Sequence, residues 1–104
     1  MFRVYHEVLE LIRVLRAFIE EIERRDPDLG RQMRRALPSV ALNMAEASGS
    51  RGRNRGARFS NALGSMRETR ACLEVAEALG YIGLQAEIVM RIDRICAALY
   101  SLAR

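Results

Sequence analysis

A chain of 104 residues has room for one domain, residues 1–104, and its 50% apolar and 29% charged residues are the balance of a soluble globular protein rather than a disordered one. All seventeen basic residues are arginine, against thirteen acids for a formal charge of +4; without a lysine the chain can build neither a phosphate-binding P-loop nor a Schiff-base nucleophile. Long stretches rich in Ala, Leu, Ile, Arg and Glu with only two prolines predict an all-α fold, and charge interrupts every apolar run well short of the ~20 residues that a membrane span needs.

The opening Met1-Phe2-Arg3-Val4-Tyr5-His6-Glu7 lacks the basic flank and apolar stretch of a secretory signal, so a cytoplasmic address is expected. From Val4, apolar residues recur at Val8, Leu11, Ile12, Leu15, Ile19 and Ile22, steps of three and four that predict a first helix over about 3–25. Its outer face is laced by the pairs Arg16 with Glu20, Glu20 with Arg24 and Glu21 with Arg25. Asp26-Pro27-Asp28-Leu29-Gly30 stops it, because Pro27 disfavours helical geometry at Asp26 and either aspartate is able to cap the next helix.

A second helix over about 29–47 turns Leu29, Met33, Leu37, Val40 and Met44 to one side, and Pro38 inside it predicts a kink, or a break and restart. Residues 48–56, from Ser48 to Gly56, hold three glycines and no apolar side chain and read as a flexible Arg/Gly loop. A third helix over about 57–79 turns Phe59, Leu63, Met66, Leu73 and Ala76 inward and ends at Gly80 as its C′ residue. A fourth, over about 83–102, carries Leu84, Ile88, Ile92, Ile95, Leu99 and Leu102. Helices of near twenty residues, each ~30 Å long and joined by short loops, predict an antiparallel up-down four-helix bundle.

Not every apolar residue fits that core. At about 100° per residue, Leu42, Val75, Leu79, Val89, Cys96 and Tyr100 fall outside the inward stripes. They are either singly exposed, as is ordinary, or joined in a patch for self-association; an oligomer with these six at its interface is expected.

No catalytic or metal-binding constellation is found. His6 is the sole histidine, whereas a di-iron bundle needs a Glu-x-x-His pair on each of two helices. Counted outward from the turn at Gly80, Cys72 and Cys96 are offset by ~7 Å along the bundle, too far for a disulfide within the chain. Glu46 and Glu68 are flanked by arginines and read as salt-bridge partners rather than an acid–base pair. Gly49, Gly52 and Gly56 have the wrong spacing for a dinucleotide loop and follow no strand. The chain is therefore expected to be no enzyme, with no metal, no cofactor and no small-molecule substrate.

The distribution of charge is more informative. Residues 31–70 hold nine arginines and only Glu46 and Glu68 as acids, a local charge of +7, while the remainder carries −3. Arg34, Arg35, Arg51, Arg53, Arg55, Arg58 and Arg67 have no acid three or four residues away. Either Arg34 or Arg35 is within reach of Glu68 if the second and third helices pack side by side. Arg51, Arg53, Arg55 and Arg58 lie within eight residues and repel one another unless a polyanion relieves them. Phosphates suit that role, since arginine offers two donors at once and the interleaved glycines let the backbone follow an irregular strand. The competing reading is a merely solubilising loop. With almost no aromatic residue nearby, binding would be electrostatic and weakly sequence-selective.

Two blocks carry a family resemblance. The run from Leu29 through Gln32, Arg34, Arg35, Ala36, Ser39, Val40, Asn43, Met44 and Ala45 to Glu46 resembles the signature of the small bacterial four-helix-bundle family named for the 23S rRNA intervening-sequence protein. The run from Arg58 and Phe59 through Ala62, Gly64, Ser65, Met66 and Glu68, followed by Leu73, Ala76 and Leu79-Gly80-Tyr81-Ile82, is similar to the family's third helix and its Leu-Gly-Tyr turn. The chain departs from the family at Ala47, where glycine is usual, in using arginine where the family's loop favours lysine, and in placing Pro38 about three residues early.

The resemblance covers nearly the whole chain and implies a ring-shaped homopentamer with a basic surface, about +20 for five copies of a +4 chain. The family includes the accessory variability protein of diversity-generating retroelements, which binds nucleic acid and a reverse transcriptase. The polar positions shared with the family are Arg34, Arg35, Asn43, Glu46, Arg58 and Glu68. Together these readings describe a non-enzymatic accessory protein that binds nucleic acid, RNA ahead of DNA by family analogy. Arg51, Arg53, Arg55 and Arg58 contact phosphates, supported by Arg31, Arg35 and Arg67, while Arg34, Asn43, Glu46 and Glu68 form a structural polar motif. The alternative is a scaffold whose basic ring docks an acidic protein partner such as a polymerase.

Overall fold

In the computed structural model, which describes residues 2–104, four helices occur in the order α1 (Phe2–Arg25), α2 (Pro27–Ser48), α3 (Gly52–Ala78) and α4 (Ala86–Ala103). No strand occurs among the described residues, and no helix there is long and apolar enough to cross a membrane. The inward stripes meet in one core. Val8, Leu11, Leu15 and Ile22 of α1, Met33, Val40 and Met44 of α2, Phe59, Met66 and Leu73 of α3, and Ile92 and Leu99 of α4 are fully buried. Each such side chain contributes on the order of 1.5–3 kcal/mol relative to exposure. The broadest packing is between α2 and α3, and α1 packs far less on α4 than on α2.

The helix ends are chemically specified. Asp26 caps α2: its Oδ1 accepts from the Leu29 N–H at 3.1 Å, with Pro27 in the first turn where its missing donor is harmless. Tyr81 donates its hydroxyl to Asp26 Oδ2 at 3.3 Å, and burial ahead of that carboxylate pushes the phenol up from its ordinary value. α3 ends at Gly80, φ +80°, where the Tyr81 N–H reaches the Ala76 carbonyl and the Gly80 N–H reaches that of Glu77, both at 2.9 Å. These are the two bonds of a Schellman motif, as the glycine's position predicts.

Four expectations are corrected. The loop expected over 48–56 shrinks to the turn Gly49–Arg51, because α2 runs through Ser48 and α3 begins at Gly52. Tertiary packing overrides composition here: Gly56 lies so close to the end of α4 that a Cβ on it would stand 3.0 Å from the Ala103 carbonyl oxygen. Of the kink or break expected at Pro38, the break is absent, since α2 is helical on both sides of it and the flanking Leu37 and Val40 are buried. α4 starts at Ala86 rather than 83, after a segment in which the Leu84 N–H donates to Glu77 Oε2 at 2.8 Å. Finally, α2 starts at Pro27 rather than about 29, so that only Asp26 separates it from α1.

Gly30 is buried where α2 crosses α1, and a Cβ there would stand 2.6 Å from the Glu23 Cα. Gly30→Ala is therefore expected to lower stability by about 1–3 kcal/mol through overpacking, although alanine is the better helix former. Urea unfolding followed by circular dichroism measures it; an unchanged or higher midpoint would show that the crossing has room.

Candidate nucleic-acid interface

The short turn changes the character of the basic segment. Arg51 stands at the N-cap of α3, and Arg53, Arg55 and Arg58 are borne on its first two turns. That helix end has no acidic residue in its first turn and no side-chain cap, so the arginines are added to the positive pole of the helix dipole. Phe59 is fully buried beneath them, and the Arg55 guanidinium lies 5.1 Å from its ring centroid. The contact of Gly56 with Ala103 also brings the end of α4 alongside, and with it Arg104, whose guanidinium lies over Tyr100 at 5.6 Å. No signal in the sequence points to Arg104, because its nearness to α3 depends on helix packing.

Seven arginines are the candidates for nucleic-acid contact, and they fall into two groups. Arg31 is paired with Asp28, and Arg58 with Glu46 at 2.9 Å. Arg35, Arg51, Arg53, Arg55 and Arg67 have no carboxylate within 4.0 Å among the described residues. These do not form one cluster, since Arg67 is twelve residues beyond Arg55 on α3, ~18 Å along the axis. Arg35 borders a groove between α2 and the start of α3, lined also by Pro38, Ser39, Leu42, Asn43, Glu46 and Arg58.

The structural polar motif is rearranged. Arg34 does not reach Glu68; its Nε and Nη2 donate to Glu23 of α1 at 2.7 and 2.9 Å, a bidentate pair. The Arg34 hydrogen bond holds the Glu23 carboxyl below its usual value of 4.5, and the same bond raises Arg34. Asn43 bonds within its own helix, donating to the Ser39 carbonyl at 2.9 Å and to Ser39 Oγ at 3.0 Å. α2 is linked to α3 by Ser65 Oγ donating to Ser39 Oγ at 2.9 Å, by the Arg58–Glu46 pair and by Gln32 Nε2 donating to Glu68. The role of the two serines emerges only from the helix packing. Glu68 has only Gln32 Nε2, 3.5 Å away.

Of the six residues expected at an oligomer interface, Leu42 is 66% exposed, and Val75, Leu79 and Tyr100 are exposed as well. Val89 is half-buried. Cys96 is also half-buried and packs partly against the core, and burial pushes its thiol up, as it does that of Cys72. Both thiols are free.

A four-helix bundle with a concentrated cationic end thus defines the class of protein. The chain matches the family described as 23S rRNA-intervening sequence protein over residues 2–101, and it belongs to that family. Compared with curated proteins and with solved structures, it finds no significant match.

The Glu23–Arg34 pair has a pH signature. Glu23 titrates below its unfolded value, so the pair's contribution is present above the usual carboxylate range and is lost as pH falls through the lowered value. Arg34→Gln is expected to return the Glu23 midpoint toward 4.5. Carboxyl carbon NMR reads this directly, and a midpoint indifferent to the substitution would disprove the coupling.

Proposed function

We propose that the chain is a non-enzymatic nucleic-acid-binding accessory protein whose phosphate contacts centre on Arg51, Arg53 and Arg55, with Arg104 beside them. The observation that carries this reading is the absence, among the described residues, of any carboxylate within ion-pairing distance of these three guanidinium groups, on a helix end that is itself electropositive. A phosphate chain supplies the missing anions and releases counterions as it binds. Arg58 joins as a second contributor, because its Glu46 partner is exposed and such surface pairs are weak.

The protomer is read as an up-down antiparallel bundle that assembles into a ring-shaped homopentamer, which would present five such cationic ends. RNA is favoured over DNA because the family takes its name from an intervening sequence of 23S rRNA. A reverse transcriptase is a fitting protein partner and a cytoplasmic address a fitting location, both by family resemblance. A scaffold that docks an acidic protein would use the same end, and it would show no measurable affinity for RNA.

Fluorescence anisotropy with two labelled single-stranded RNAs of unrelated sequence distinguishes these. Affinity should fall log-linearly with salt and differ little between the RNAs. The triple substitution Arg51→Ala, Arg53→Ala, Arg55→Ala should reduce the salt slope by about 2, at ~0.7 per lost phosphate contact on single strands. A slope and affinity unaltered in a triple variant of native helicity would remove the α3 start from the site.

A further inference from the structure

Along the flank of α3 that meets α4, Arg53, Ser60 and Arg67 recur at seven-residue steps, and all three are exposed. Seven residues are close to two helical turns, so they form one row with ~10 Å between neighbours. Two contacts place that row against α4. Gly56, one turn beyond Arg53, lies against Ala103, and Arg70, one turn beyond Arg67, is paired with Asp93. Neither Arg53 nor Arg67 has a carboxylate within 4.0 Å among the described residues. Beyond Arg67, the acids Glu74 and Asp93 are both engaged by Arg70.

α4 sets an aromatic ring beside the gap between these two arginines. Tyr100 follows Asp93 by seven residues and therefore shares its α3-facing side of the helix. Between the contacts of Ala103 with Gly56 and of Asp93 with Arg70, Tyr100 is level with residues 59–63 of α3, where the exposed member of the row is Ser60. Its side chain is 53% exposed, and the Arg104 guanidinium lies over the ring at 5.6 Å. In the basic segment itself, residues 31–70, the one aromatic is Phe59, which is fully buried. The packing of α4 on α3 thus brings up an accessible ring that the segment lacks.

Cations flanking an accessible aromatic face suit a single strand of nucleic acid, whose phosphates need the charges and whose unpaired bases need a flat surface. Guanidinium planes also serve as stacking surfaces, so Arg104 extends the platform. A duplex stacks its bases on one another and has no free face for Tyr100.

We propose that the α3–α4 seam binds single-stranded RNA, with phosphates on Arg53 and Arg67 and an unpaired base stacked on Tyr100 and Arg104. This rests on the RNA-binding reading above and adds the form of the strand and its path, from the start of α3 toward Arg67. Arg67, far along the helix from Arg55, thereby joins the site.

Fluorescence anisotropy on the full chain tests this with three labelled probes: a short single-stranded RNA, the same RNA annealed to its complement, and an abasic ribose-phosphate strand of equal length. Wild type should bind the intact strand about 5- to 150-fold more tightly than the abasic one, which carries the same charge. Tyr100→Ala should lose that margin, with affinity for the duplex and the abasic strand unchanged. Its salt slope should also be unchanged, because every phosphate contact remains. Tyr100→Phe should bind as wild type, since stacking needs only the ring. Arg67→Ala should instead reduce the slope on the intact strand by about 0.7. Tyr100 is exposed, so Tyr100→Ala should retain its helicity by circular dichroism and its mass by light scattering. Equal affinity of wild type for intact and abasic strands, a Tyr100→Ala loss shared by the duplex, a lower mass of that variant, or a slope indifferent to Arg67→Ala would each overturn the seam while electrostatic binding at the start of α3 stands. A wild type that binds none of the three probes overturns both.

Discussion

The start of α3 is the point on which the rest of the structure turns. A helix end attracts anions, yet this one carries Arg51, Arg53, Arg55 and Arg58 and no acid. Cations near a helix N-terminus are unfavourable by roughly 0.3–1 kcal/mol each at an exposed site. Burial of Phe59 supplies about 1.5–3 kcal/mol, the order of magnitude needed to hold the end helical, and the Arg55–Phe59 contact adds roughly 0.5–1 kcal/mol. The close contact between Gly56 and Ala103 sets this end of α3 against the end of α4. Packing therefore holds the charges together against their own repulsion, and under the proposed function that repulsion is what a bound polyanion would relieve.

The other arginines show the opposite arrangement. Arg34 is spent on Glu23, tying α2 to α1, and Arg70 on Asp93, tying α3 to α4. Arg58 and Glu46 tie α2 to α3. All these pairs are exposed and individually weak, so they set register more than stability. The buried stripes of the four helices supply the stability.

Those stripes are legible in the sequence because a helical period survives any choice of partner: Val8 through Ile22 and Ile88 through Leu99 point inward as their spacing predicts. Gly80 and Asp26 are legible for a similar reason, since helix caps are local chemistry. The beginning of α3 is not. Residues 52–56 contain no apolar side chain, and Gly56 packs close to Ala103, a contact that no local pattern encodes. Neither Arg34 nor Arg35 pairs with Glu68, although one of the two is expected to: Arg34 reaches Glu23, eleven residues back across the turn at Asp26, and not across the α2–α3 contact. Gly30 reads as punctuation because a glycine beside a proline resembles a turn, although its lack of a side chain is what lets α1 and α2 touch.

A division among arginines is expected that can be observed one guanidinium at a time. In a titration of ¹⁵N-labelled protein with a short single-stranded RNA, the Nε–Hε resonances of Arg51, Arg53 and Arg55 should shift first and furthest, with that of Arg34 unmoved. Perturbations that begin at Arg34, or that spread evenly over every arginine, would contradict a binding site built on the uncompensated end of α3.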